Sequence, residues 1–130
     1  MGECHDPMVN YTTLVIGASL KPERYSYRAV QMLNERGIEV VAMGRDAGQI
    51  GSVTITKPFT VINSIHTVTL YLAPERQQEY FDFIINLKPQ RVIFNPGTEN
   101  PIFAALLTDV GIGWEQSCTL VLLSTDQYQT

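Results

Sequence analysis

Apolar and β-branched residues fall in short runs separated by polar turns, and the spacing inside successive runs switches between strand and helix. Residues 12–16, TTLVI, form a run of strand length, and Gly17, Ala18 and Ser19 follow at once, as at the first crossover of an open α/β sheet. Ala29, Val30 and Leu33 then recur at helical spacing, which predicts a helix over residues 27–36 with Ser26 as its N-cap and Gly37 just beyond its end. Residues 38–43, IEVVAM, are nearly continuously apolar, as in a parallel strand covered on both faces. Gly44 to Gly48 make a charged turn, and residues 52–56 alternate as a minor edge strand would. A third strand is expected over residues 67–72, stopped by Ala73 and Pro74. Pro74 opens a second helix whose buried side is Tyr80, Phe81, Ile84, Ile85 and Leu87.

Residues 91–94, RVIF, read as a fourth strand that runs into the polar loop 95–100. Asn100 as cap and Pro101 at the first helical position start a third helix, which Ala104, Ala105, Leu106 and Val110 carry to Gly111. Residues 112–115 make the fifth strand, and Ser117 or Cys118 caps a last helical turn over residues 119–123. The pattern predicts an α/β fold, a Rossmann-like three-layer sandwich around a five-stranded parallel sheet of order 3-2-1-4-5. Residues 12–124 form the domain, with a flexible N-terminal tail over residues 1–11 and a loose polar C-terminal tail over residues 125–130.

Composition narrows this picture. A chain of 130 residues with 45% hydrophobic and 17% charged residues suits one soluble globular domain. The N-terminus lacks the basic and apolar regions of a secretory signal, Asp6 breaks the myristoylation pattern, and no apolar run reaches membrane-spanning length. Two cysteines, Cys4 and Cys118, make no disulfide framework, so a cytoplasmic location is expected. No C-x-x-C or H-x-x-x-H spacing supports a metal site, although Cys4 and His5 are adjacent. A formal net charge of −4 argues against nucleic-acid binding. It leaves room for a small anion, because Lys21, Arg24, Arg28 and Arg45 lie in or near the loops flanking the glycine turn. The expected partner is a small-molecule nucleotide, with neither nucleic acid nor membrane, and a homodimer is left open.

The predicted strand order places the loops after strands one and four side by side, at the switch point where open α/β sheets bind ligands. The first loop brings Gly17, Ala18, Ser19, Arg24, Tyr25 and Ser26, and the fourth brings Asn95, Pro96, Gly97 and Glu99. Gly44, Arg45, Tyr71 and Leu72 join them from the ends of strands two and three. The G-x-G-x-x-G dinucleotide fingerprint is absent, since Ser19 replaces the second glycine. Gly44 and Arg45 stand where an NAD site wants a carboxylate, although Asp46 is one residue further on, and an arginine there suits a ribose phosphate, as in NADP or coenzyme A (CoA). No catalytic constellation is assembled: Glu99 also suits a helix N-terminus, and His66 precedes the third strand. Cys118 reads as an inert buried cysteine or, if it faces the crevice, as a thiol able to exchange with that of CoA.

Several of these segments together carry a resemblance. GAS at residues 17–19, PERYS at 22–26, YLAPE at 71–75, NPGTEN at 95–100 and the late Cys118 resemble the small CoA-binding proteins of bacteria. Those proteins are related to the CoA-binding domain of the succinyl-CoA synthetase α subunit. The resemblance implies a single Rossmann-like domain in which Gly17, Ser19, Arg24, Tyr25, Ser26, Arg45 and Tyr71 contact CoA, with Pro96 and Gly97 lining the crevice. Many members carry Asn-Pro after the second strand, where this chain has Gly44 and Arg45. The synthetase's phosphorylated histidine lies in a second domain, and no second domain is expected here. The expected function is therefore a non-catalytic CoA or acyl-CoA binding protein, with a small NADP-dependent oxidoreductase, an NADP-binding regulatory module or an interaction module without ligand as the alternatives.

Overall fold

The structure, a computed structural model, describes residues 10–129, so Cys4, His5 and most of the expected N-terminal tail lie outside the described residues. The strands are β1 (Thr13–Ile16), β2 (Val40–Met43), β3 (Gln49–Ile50), β4 (Val53–Thr56), β5 (Thr67–Leu70), β6 (Arg91–Phe94) and β7 (Gly113–Gln116). The helices are α1 (Tyr25–Glu35), α2 (Pro74–Gln77), α3 (Phe81–Leu87), α4 (Pro101–Asp109) and α5 (Thr119–Ser124), with a 3₁₀ turn at Gln78–Tyr80 between α2 and α3.

The α/β class holds, but the sheet has seven strands in the order β3-β4-β2-β1-β5-β6-β7, which corrects both the strand number and the order expected from sequence. The short hairpin explains the difference. β4 pairs in parallel with β2 through Ala42↔Ile55 and Met43↔Thr56, and β3 folds back on it antiparallel. The outer edge of β2 is thus occupied, and the next long strand, β5, instead pairs with the other side of β1 (Thr13↔Thr67 to Ile16↔Leu70). β1 and β6 are not neighbours, because β5 lies between them.

Alternation along the strands divides the core into two layers. Leu14, Ile16, Val68, Leu70, Val92 and Phe94 point to one face, where Ile84 of α3 and Phe103 and Leu107 of α4 cover them. Val15, Ala42 and Ile93 point to the other, against Val30 and Leu33 of α1 and Leu123 of α5. All these side chains are at most 1% exposed, and burying one of this size stabilises the fold by about 2 kcal/mol.

Two local readings are corrected. α1 begins at Tyr25 with Arg24 at the N-cap position and no side-chain cap, so Ser26 lies inside the first turn, where it is buried. The turn closed by Arg24 N–H donating to the Lys21 carbonyl (3.0 Å) starts the helix earlier than a serine cap would. The C-terminal segment, expected as a loose tail, is pinned by Tyr128, which is 2% exposed. Its phenol is 2.6 Å from Thr13 Oγ1, the Arg91 guanidinium lies 4.3 Å from its ring centre, and Arg91 Nη2 donates to its carbonyl at 2.8 Å. Polar spacing hid one large aromatic anchor.

Candidate ligand-binding crevice

A cavity of about 260 Å³ opens at the carboxyl ends of β1, β2 and β5. Gly17, Ala18 and Ser19 line it from the loop after β1, Gly44, Arg45 and Asp46 from the loop after β2, and Tyr71 and Leu72 from the end of β5. Lys21 and Arg24 come from the approach to α1, and Arg76 and Tyr80 from the α2 segment.

The backbone at this point is closely stitched. The amides of Gly17 and Ala18 both donate to the Met43 carbonyl at 3.0 Å, and the Tyr71 amide donates to the Ile16 carbonyl at 2.9 Å. Gly17 has a φ of +93°, and a Cβ there would come within 3.0 Å of the Tyr71 carbonyl group. At Gly44 a Cβ would stand 2.4 Å from the Ala18 carbonyl oxygen. These glycines shape the crevice by letting three chain segments converge. They do not offer their own amides, since those of Gly17 and Gly44 are already used, the latter on the Thr56 carbonyl at 3.1 Å.

The charge in the crevice opposes that of the whole chain. Lys21, Arg24, Arg45 and Arg76 face a single carboxylate, Asp46, and none of the four cations is in an ion pair with another described residue. α1 points its first turn towards this region with no acidic residue in it and no side-chain cap. Unsatisfied helix N–H groups, the positive end of the helix dipole and four cations together make a field suited to a polyanion such as a pyrophosphate.

Tyr71 lines the crevice, but its hydroxyl lies in the protein interior. Its phenol oxygen is buried without a partner in hydrogen-bond geometry, beside the Thr69 and Thr119 hydroxyls, which bond each other at 2.8 Å. Burial pushes the Tyr71 phenol far up, only partly offset by Thr119, and the neighbouring Cys118 pushes it further. It stays a neutral O–H donor throughout the physiological range. Cys118 is a half-buried free thiol at the N-cap of the six-residue α5, and it does not line the crevice.

The loop after β6 is a structural knot instead of a second crevice wall. Asn95, 2% exposed, donates from Nδ2 to Thr69 Oγ1 (2.6 Å) and to the Leu70 carbonyl (2.8 Å), and its Oδ1 accepts the Thr119 amide (2.9 Å). Pro96 and Gly97 are exposed and stand outside the crevice, because the intervening β5 separates β6 from β1. Glu99 caps the Gly97 amide at 2.9 Å. His66 sits at the opposite end of the sheet, before β5, with Nδ1 2.8 Å from Thr67 Oγ1; burial, then the Arg91 charge, lower its pKa, so its ring is neutral at pH 7.

The CoA binding domain family model matches residues 11–124. The chain belongs to the CoA-binding domain family. A crystal structure of an uncharacterized protein is 40% identical, with a TM-score of 0.88, over 92% of this chain and 99% of that one. A Thermus thermophilus protein is 17% identical, with a TM-score of 0.81, over 92% of this chain and 91% of its own. A hypothetical protein from Pyrococcus horikoshii OT3 is 21% identical, with a TM-score of 0.80, over 89% and 83%. These two share the fold. No curated protein matches the chain.

Of the positions that sequence pointed to in this CoA-binding domain, the structure brings together Gly17, Ala18, Ser19, Arg24, Gly44, Arg45, Tyr71 and Leu72. It leaves Tyr25, Ser26, Pro96 and Gly97 off the crevice lining. Tyr25 is exposed on the outer side of α1, with the Arg28 guanidinium 5.9 Å from its ring centre. Arg76 was missed, Tyr80 was read as core, Asp46 only as a carboxylate one residue past the NAD position, and Lys21 only as a flanking charge. With β5 beside β1, the segment after β5 becomes crevice wall, and Arg76, two residues after Pro74, could have been found from that order alone.

Proposed function

We propose that this chain binds coenzyme A, free or acylated, in the crevice between β1, β2 and β5, and acts as a non-catalytic carrier, sensor or accessory module. The observation that carries this reading is the convergence of Lys21, Arg24, Arg45 and Arg76 on a cradle that only glycines at positions 17 and 44 allow. CoA presents a pyrophosphate and a ribose phosphate, so its anionic half needs several separate cations and close backbone approach. Lys21 and Arg24, beside the α1 terminus, suit the pyrophosphate, and Arg45 at the end of β2 suits the ribose phosphate. The Tyr71 backbone, against which a side chain at position 17 would clash, closes the cradle from the β5 side. Among the described residues the crevice holds no histidine, and its one carboxylate, Asp46, has no acid or base partner there, which favours binding over turnover.

Arg45→Ala tests the placement. It should weaken CoA about 10- to 100-fold, as expected for loss of one charge-assisted contact, and change dephospho-CoA less than about threefold. Calorimetric titration of the four ligands CoA, dephospho-CoA, NADP and NAD reads this directly. Equal losses for phosphorylated and dephosphorylated forms would contradict the role of Arg45. NADP carries a ribose phosphate too, so an NADP-binding module is the alternative that the same titration resolves.

A further inference from the structure

The side of the domain away from the crevice floor carries an apolar face with no partner. Ile102, Leu106 and Val110 recur at intervals of four along α4 and its C-cap, and they are 71%, 38% and 53% exposed. Across a groove stand Phe81 and Ile85 of α3, both half-buried. Two cavities lie along that groove: one of about 370 Å³ beside Pro74, Glu75 and Ile102, the other of about 430 Å³ beside Ile85, Lys88 and Val110. Exposed apolar stripes of this kind mark contact surfaces.

We infer that this groove is the interface of a homodimer, in which α4 of each copy lies against the α3/α4 groove of the other about a two-fold axis through Leu106. The charges select a second copy as the occupant. One end of the groove carries the exposed Glu75 and the other the exposed Lys88, and neither is in an ion pair with another described residue. A two-fold axis across the groove reverses its ends, so Glu75 of each copy meets the partner's Lys88, while Ile102 faces the partner's Val110. The surface is complementary to itself, as an isologous contact requires.

Size sets the strength. Residues 74–87 and α4 define a face roughly 20 Å by 20 Å from helix rise and diameter. That is at the low end for specific interfaces, so dissociation in the micromolar range is expected. The two cavities of the groove share no lining residue with the crevice, so the dimer leaves the crevice open.

Sedimentation velocity of the full chain from about 1 μM to about 500 μM tests the inference. The wild type should pass from monomer to dimer across that range. Leu106→Glu should stay monomeric with an unchanged circular dichroism spectrum. Glu75→Lys, on the exposed surface, should weaken the dimer about tenfold by setting like charges opposite one another, and Glu75→Lys with Lys88→Glu should restore it to within about twofold. A wild type that stays monomeric at the highest concentration, or a double reversal no tighter than the single one, would overturn the inference.

Discussion

Replacing Asn95 with alanine should lower the unfolding free energy by about 4 kcal/mol, which is a large share of the 5 to 15 kcal/mol typical of a domain. The side chain ties three elements together: its amide group donates to Thr69 and Leu70 of β5, and its oxygen accepts the first amide of α5. The three bonds are worth about 1 kcal/mol net each, and the truncation also strands the Thr119 amide in a dry site at a further cost of roughly 1 kcal/mol, while the Thr69 hydroxyl keeps its bond to Thr119. Asn95→Asp keeps the acceptor but loses both donors and buries a charge, so a loss of similar size is expected. Urea denaturation of the three proteins measures this. A loss below about 1 kcal/mol for Asn95→Ala would show that the network is not the clasp described.

Gly44→Ala should have the largest effect on the crevice itself, reducing CoA affinity by at least about 100-fold and costing about 2 to 3 kcal/mol of stability. The added Cβ would lie 2.4 Å from the Ala18 carbonyl oxygen, a backbone atom held in place because the Ala18 amide is bonded to Met43. Neither segment yields by a side-chain rotation. The β1 loop must instead move away from β2, separating Ser19 and Lys21 from Arg45. Calorimetry with CoA on folded protein reads the consequence, and wild-type affinity in Gly44→Ala would mean that the ligand does not use this junction.

The β-branched runs and glycine turns made the α/β class and most strands legible, because strands covered on both faces must be apolar along their length. Asn100 and Pro101 marked α4 correctly, with Asn100 Oδ1 accepting the Phe103 amide at 3.1 Å. Strand order was not legible. It depended on the two-residue β3 and on β4 taking the free edge of β2, a choice made by tertiary pairing and not by any local pattern. That error carried into the site: Pro96 and Gly97 were expected beside Gly17, whereas the wall comes from Tyr71 to Tyr80. The α1 start was misplaced because a buried serine and a capping serine look alike in sequence. Tyr128 was missed because a single aromatic in a polar segment gives no periodicity.

Wild-type titration calorimetry with CoA, NADP and NAD on one preparation tests the central claim most directly. CoA should bind saturably at one site per chain and NAD should give no measurable heat, with NADP at least about tenfold weaker than CoA because it lacks a pantetheine arm. Saturable binding of NADP or NAD with no binding of CoA would contradict the account.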